Sequence, residues 1–85
     1  MPVISKFFGI VIYMYWKDHA PPHFHAKYGD EEIVVGIRSG NVSGHMSNRA
    51  TKMIQDWRKL HKKELLRDWE LAEQKKALFA INPLE

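Results

Sequence analysis

The chain has 85 residues, of which 45% are hydrophobic and 27% are charged, and its formal net charge is +3. A chain of this length forms one hydrophobic core, so two-domain enzymes are excluded. It contains no cysteine, which excludes disulfides, thiolate nucleophiles and thiolate metal sites. Any metal ligand must therefore come from histidine, aspartate or glutamate, and the lack of cysteine fits the reducing environment of the cytoplasm.

An apolar run near the start of the chain predicts a core strand. Residues 9–16 are almost all β-branched, aromatic or apolar, and such residues are enriched in buried strands. The run is shorter than the roughly 20 residues that cross a bilayer, and no small-residue cleavage site of a signal peptide follows it. We therefore expect a cytoplasmic protein that makes no membrane contact.

The next segments predict an antiparallel meander. Residues 23–28 and 32–38 alternate between apolar and polar side chains, which is typical of half-buried strands. The Gly-Asp pair at 29–30 predicts a tight hairpin turn between them. Residues 42–44 leave room for a short edge strand only. The sequence thus predicts three or four strands over about residues 8–44.

The second half of the chain predicts helices. Ser47 is a favourable N-cap residue, and apolar residues follow it at helical spacing with charged residues between them. We expect helical structure over about 47–75, as one helix or as two that meet near 61–63. We favour two, because one long helix would overhang so small a sheet. The tail, 77–85, is apolar but contains a proline, which predicts an extended strap over the core or a partner contact. The predicted fold is one α+β domain with its helices packed on one face of the sheet.

Three of the five histidines lie within seven residues of one another. His23 and His25 occupy alternate positions of a predicted strand, so both imidazoles point to one face, about 7 Å apart at Cα. Such a pair can share a divalent ion such as zinc at about 2.0–2.1 Å from each nitrogen. Two histidines on the solvent face of a strand also need no ligand. The candidate functional cluster comprises Asp18, His19, His23, His25, Tyr28 and His61.

The favoured metal ligands within this cluster are His23, His25 and His19. The sequence leaves the third ligand open, because several acidic residues and histidines lie near enough in the predicted fold to compete with His19. A catalytic centre needs this third ligand and an open position for water or substrate. The alternatives to His19 are Asp18, Glu32, His45 and His61.

Nucleic-acid binding is a weaker alternative. Basic residues are concentrated in the second half of the chain, but acidic residues are interleaved with them, which is typical of a solvated helix surface. Base stacking would fall to aromatic residues on the strands. The sequence has no Gly-rich phosphate loop and no nucleophilic-serine motif, which counts against nucleotide and serine-hydrolase chemistry. The aromatic residues considered for stacking are Tyr13, Tyr15, Phe24 and Tyr28.

Three segments carry a family resemblance. They are PVISKFFGIVIYMYWKDHAPPHFHAKYG, RATKMIQDWRKLHKKELLRDWELA and INPLE. Over nearly its full length the chain resembles the small bacterial family named domain of unknown function 4160. The chain departs from that family before the first helix, where His45, Met46 and Ser47 replace a common Leu-Pro step. The most specific part is the block 9–29, with these residues in their family places: Tyr13, Asp18, His19, Pro21, Pro22, His23, Phe24, His25 and Tyr28.

The resemblance implies a free-standing small protein that is often encoded beside another small family, domain of unknown function 2442. This pairing is similar to that of toxin and antitoxin modules, and it implies a protein partner but no reaction and no functional residues. A small core also favours stabilisation by a partner or by self-association. We therefore expect a binding module that acts with a co-encoded small protein or as a homodimer, and we favour binding over catalysis. The alternatives are a His-liganded metal-dependent hydrolase or nuclease and a nucleic-acid-binding regulator.

Overall fold

The structure, a computed structural model, describes residues 2–85 and contains five strands followed by two helices. Neighbouring strands all pair antiparallel, in the order β1-β2-β3-β4-β5. The predicted α+β meander followed by helices is confirmed, with five strands instead of three or four. Neither helix within residues 2–85 has the length and apolar character needed to cross a membrane. The elements are β1 (Val3–Phe7), β2 (Ile10–Tyr13), β3 (His23–Tyr28), β4 (Glu31–Gly36), β5 (Val42–His45), α1 (Asn48–Leu60) and α2 (Lys62–Glu73).

The additional strand, β1, forms a hairpin with β2 through Phe8 and Gly9. These two residues have φ angles of 50° and 82°, and two consecutive positive φ angles suit the twist of a two-residue hairpin turn. Glycine adopts this backbone freely, whereas phenylalanine is strained in it. The sheet therefore begins at Val3, ahead of the predicted start near residue 8. Strand β2 ends at Tyr13, and Trp16, which was expected on the strand, lies beyond it and is 48% exposed.

One face of the sheet carries the hydrophobic core. Alternate residues of β2, β3 and β4 are buried on this face, as their alternation predicted. Both helices add apolar residues at spacings of three or four, and each such burial contributes about 1.5–3 kcal/mol. The candidate histidines of β3 alternate with the core residues and so point away from the core. The main core residues are Ile10, Ile12, Phe24, Ala26, Ile33, Val35, Ala50, Ile54, Trp57, Leu65 and Trp69.

The helical segment consists of two helices that meet at His61. The Ser47 side chain accepts a hydrogen bond from the Ala50 N–H at 3.2 Å, which confirms it as the N-cap of α1. His61 has φ −117° and ψ 24°, which departs from helical geometry and separates the two helices. Both helices contribute to the one core, α1 through Ile54 and Trp57 and α2 through Leu65 and Trp69.

The C-terminal residues 77–85 lie extended along the core and one sheet edge. Ile81 is 3% exposed, and its N–H donates to the Ile4 carbonyl of β1 at 2.8 Å. The Trp57 indole N–H donates to the Asn82 carbonyl at 2.8 Å. The tail therefore covers part of the β1 edge, whereas all four residues of β5, at the opposite edge, are exposed.

Candidate metal centre

The loop between β2 and β3 brings Asp18 against the two histidines of β3. His23 and His25 are separated by one residue, so their imidazoles lie on one face of the sheet, as their spacing predicted. Oδ2 of Asp18 lies 2.8 Å from Nε2 of His23 and 3.3 Å from Nε2 of His25. One carboxylate oxygen thus faces two imidazole nitrogens, and the three residues offer ligand atoms within 4.8 Å of one another.

The loop that carries the carboxylate is anchored by backbone hydrogen bonds. Lys17 donates its N–H to the Ala72 carbonyl in α2 at 3.2 Å, and the Pro22 carbonyl accepts from the Ile37 N–H at 3.0 Å. Two consecutive prolines, at 21–22, further restrict the backbone. Ligands that the fold holds in place lose less conformational freedom on binding an ion, so these anchors favour a preformed site.

A carbonyl group fixes the proton on the imidazole of His23. Its Nδ1 lies 2.8 Å from the Pro21 carbonyl oxygen, and this oxygen can only accept, so Nδ1 carries a hydrogen. In the neutral imidazole, Nε2 then presents a lone pair to Asp18, whose ionised carboxylate also only accepts. These lone pairs repel unless a proton or a metal cation lies between them. A backbone carbonyl behind a histidine is also the usual outer partner of a metal ligand.

Aromatic rings hold the second imidazole. The ring of His25 stacks on Tyr13 with centroids 5.2 Å apart, and it meets Tyr15 edge-on at 4.8 Å. Tyr13 is 1% exposed and donates its hydroxyl hydrogen to Oε1 of Glu32. Burial, followed by the Glu32 carboxylate, raises the pKa of Tyr13 well above its ordinary value, so Tyr13 remains a neutral donor. The His25 ring is thus positioned by a buried side chain.

The three side chains are partly buried and the carboxylate is ionised. His23, His25 and Asp18 are 16%, 17% and 22% exposed. Burial opposes ionisation of Asp18, but the N–H of His19, 2.8 Å from Oδ1, outweighs it together with hydrogen bonds from the two imidazoles when their Nε2 atoms carry the proton, and the pKa of Asp18 is lowered. An ionised carboxylate is the form that binds metal ions.

The donor set suits a divalent transition metal. Two imidazole nitrogens and a carboxylate oxygen are common ligands of zinc, and the same set also suits iron. Around a tetrahedral ion at about 2.0–2.1 Å, ligand atoms lie about 3.3–3.4 Å apart. The distance from Oδ2 of Asp18 to Nε2 of His25 matches this value. The distance from Oδ2 to Nε2 of His23 has to lengthen by about 0.5 Å when an ion binds. Three protein ligands leave a position for water or substrate, as in catalytic zinc sites.

The other predicted cluster residues lie outside this group. His19, which was a favoured metal ligand, is exposed, and the structure gives it a backbone N–H contact with Asp18 instead of an imidazole contact. Tyr28 ends β3 at its far end and is 40% exposed. His61 pairs through Nδ1 with Oε1 of Glu64 at 2.7 Å. The three residues that the structure brings together are Asp18, His23 and His25.

The remaining alternatives for the third ligand have other partners. His45 lies 3.7 Å from a carboxylate oxygen of Glu31. Glu32 accepts the hydrogen bond of Tyr13 and is absent from the ligand group. Sequence reasoning missed this pairing, because it connects β2 to β4 across β3. The signal that reveals it is the strand register, in which Tyr13 lies opposite His25.

Two of the four aromatic residues considered for base stacking are unavailable to nucleic acid. Tyr13 is 1% exposed and Phe24 is fully buried. Tyr15 and Tyr28 are 43% and 40% exposed, but they line two separate grooves. These four residues therefore do not form a continuous stacking platform.

The comparison with family models gives one match, to the family described as Domain of unknown function (DUF4160), over residues 9–70 of the 85-residue chain. The chain belongs to this family. The DUF4160 match includes β2 to β5, α1, most of α2 and all three residues of the candidate metal centre. No curated protein and no solved structure shows significant similarity to this DUF4160 chain.

Proposed function

We propose that this DUF4160 protein binds a divalent metal ion, with zinc as the best candidate, through Asp18, His23 and His25. One observation carries the proposal: an ionised carboxylate oxygen lies 2.8 Å from an imidazole nitrogen whose other nitrogen already donates to a carbonyl. A metal cation between the two groups removes their repulsion, as a proton on Nε2 does when no metal is bound. The anchored loop and the stacked His25 ring support a site that exists before the ion arrives.

We further propose that the metal centre serves hydrolysis. A zinc ion with three protein ligands keeps one position for water, and it lowers the pKa of that water to about 7. The partly buried position of the ligands limits competition from bulk water. The lack of cysteine and the short apolar run support the cytoplasm as the proposed location.

Calorimetric zinc titration of the chelator-treated full chain tests metal binding. We expect one equivalent of zinc per chain. Asp18→Asn keeps the shape of the side chain but weakens the ligand, and we expect it to lower zinc affinity by more than the roughly 10- to 100-fold typical of outer partners. His23→Ala and His25→Ala should act in the same direction.

His19→Ala is the matched control, because it removes a neighbouring imidazole and retains the backbone N–H that contacts Asp18. We expect zinc affinity to stay unchanged in this variant. Circular dichroism of each variant reports whether the fold is retained. Unchanged affinity in folded Asp18→Asn and His23→Ala, or loss of affinity in His19→Ala alone, would overturn the proposed ligand set.

A second candidate function is binding to a small protein partner. The expected partner is a co-encoded protein or a second copy of this chain. The edge of β5 favours it, because its four residues are exposed while the tail bonds to β1 at the other edge. Open edge strands pair with strands of other chains. Native mass spectrometry of the gently purified complex tests this function. We expect Ser43→Lys to dissociate a strand-paired complex, and a monomer in the presence of the neighbouring gene product would contradict it.

A further inference from the structure

A groove of about 420 Å³ begins at His25, one of the three proposed metal ligands, and crosses the face of the sheet that lies opposite the core. His25 forms one end, and the lining continues over β4 to β5 through Glu32, Val34 and Ser43, with Tyr15 at the side. This volume lies within the range of small-molecule sites. A ligand bound at the metal can therefore extend along the groove.

Glu32 gives the groove a negative charge. Among the described residues 2–85, no lysine or arginine lines the groove. The buried Tyr13, on the same face of the sheet, donates to Oε1 of Glu32, which orients the carboxylate and leaves Oε2 for a ligand. Lys27 lies opposite Glu32 on β3. Within residues 2–85, however, the side chains of Lys27 and Glu32 do not form an ion pair with each other. An ammonium group suits this position, and a phosphate is repelled from it.

The strand register sets the spacing between His25, the ligand at the end of the groove, and this charge. His25 lies opposite Val34, and Glu32 lies two residues further along β4. Strands about 4.8 Å apart, with about 3.4 Å per residue, place Glu32 about 8 Å from His25 at Cα. An acyl carbon and an amine nitrogen joined by about five methylene groups cover roughly the same distance as these two backbone positions, and the side chains of Val34 and Tyr15 provide apolar contact for the chain.

We infer that the centre acts on an amide or ester whose acyl chain ends in a primary amine, with the ammonium group bound by Glu32. This inference rests on the proposed metal centre. In the reaction, water adds its oxygen to the acyl carbon, the bond to the leaving nitrogen or oxygen breaks, and the leaving group takes up the proton. The products are an amino acid with a terminal amine and a free amine or alcohol. The same charge disfavours phosphodiesters, so the inference selects hydrolase over nuclease.

Two matched zinc-binding probes test the inference on the zinc-loaded full chain. They are 6-aminohexanohydroxamate and hexanohydroxamate, which differ in the terminal ammonium group. Because surface ion pairs are weak, we expect the amine probe to bind about threefold to fivefold tighter by calorimetry. Glu32→Gln should abolish this preference, since it removes the charge and keeps an acceptor for Tyr13. Asp30→Asn makes the same charge change in the exposed β3-β4 turn and should retain the preference.

Zinc affinity is measured on the same samples, so the two failures are separable. If the chain binds zinc but binds the two probes with equal affinity, the inferred ligand class is wrong and the metal centre still stands. The same conclusion follows if Glu32→Gln still prefers the amine probe. Hexylphosphonate binding more tightly than the amine probe also overturns the inferred ligand class. A wild-type chain that does not bind zinc overturns both the proposed function and this inference.

Discussion

Nε2 of His23 faces Oδ2 of Asp18 at 2.8 Å, while the Nδ1 of the same ring is directed at the Pro21 carbonyl oxygen. A histidine that only packs against the core or contacts solvent does not require a carboxylate oxygen at one ring nitrogen and a carbonyl oxygen at the other. Nε2 of His25 also lies within 3.3 Å of the same Asp18 oxygen. These contacts together distinguish the site from two histidines that only share one face of a strand.

Zinc should stabilise the folded chain. A ligand that binds the folded state alone adds about 2.7 kcal/mol to the free energy of unfolding at 100 times its dissociation constant. Thermal unfolding in chelator and then in zinc measures this effect. Magnesium should shift the midpoint less, because it prefers oxygen ligands. Equal midpoints in chelator and zinc, or an equal zinc shift in His25→Ala, would contradict the site.

Asp68 should make stability depend on pH. Its side chain is fully buried, and Oδ2 has no hydrogen-bond partner within the described part of the chain. Burial raises the pKa of Asp68, aided by Glu64 and opposed by the Phe79 N–H and by Arg67. Because the folded pKa exceeds the unfolded pKa, the stabilising contribution is present below the unfolded pKa and is lost as the pH rises through the folded pKa.

Asp68→Asn removes this titration and keeps an oxygen for the Phe79 N–H. We expect the variant to be more stable than the wild type at neutral pH by on the order of 1 kcal/mol. The difference should shrink as the pH falls toward 4. Urea unfolding of both proteins across pH 4–8 measures it, and a difference that does not change with pH would refute the assignment.

Gly44 should tolerate alanine poorly. Its φ is 98°, and an added Cβ would lie 2.6 Å from the backbone oxygen of Glu32 on β4. We expect Gly44→Ala to destabilise by about 2–3 kcal/mol, from the backbone strain and the contact with β4. Gly29 is the control, since its φ is 60° but, within the part of the chain that the structure describes, no atom beyond its chain neighbours lies within 4 Å of an added Cβ. Gly29→Ala should cost about 1 kcal/mol, and equal losses in urea unfolding would contradict this reasoning.

The tail should contribute to the core through Ile81. This side chain is 3% exposed, and replacing a buried isoleucine by alanine typically costs about 2–5 kcal/mol. Phe79 is 57% exposed and lies under the Arg67 guanidinium at 4.6 Å, so Phe79→Ala should cost about 1 kcal/mol or less. Chemical unfolding followed by tryptophan fluorescence compares the two. A larger loss in Phe79→Ala would show that the tail does not pack in this way.

Local sequence pattern was sufficient for most of the fold. The alternation in β3 and β4 and the helical spacing after Ser47 reflect contacts that each segment makes on its own periodic face. Strand β1 was missed because Phe8 is an unusual residue at a positive φ, which left Gly9 as the single turn signal. The end of β2 at Tyr13 was missed because the next residues remain apolar and aromatic although they leave the sheet.

The candidate site was predictable in part. Spacing alone placed His23 and His25 on one face, because strand geometry is local. The choice of Asp18 over His19 depends on how the loop is anchored to α2 through Lys17, which is a long-range contact. The role of Glu32 depends on register across three strands. Neither relationship leaves a periodic pattern in the sequence.

Anomalous diffraction at the zinc edge from a zinc-soaked crystal tests the central claim most directly. We expect one strong peak at about 2.0–2.2 Å from Nε2 of His23, Nε2 of His25 and Oδ2 of Asp18. A peak at His19, or between His45 and Glu31, would contradict the proposed metal centre if Asp18, His23 and His25 were still hydrogen-bonded to one another.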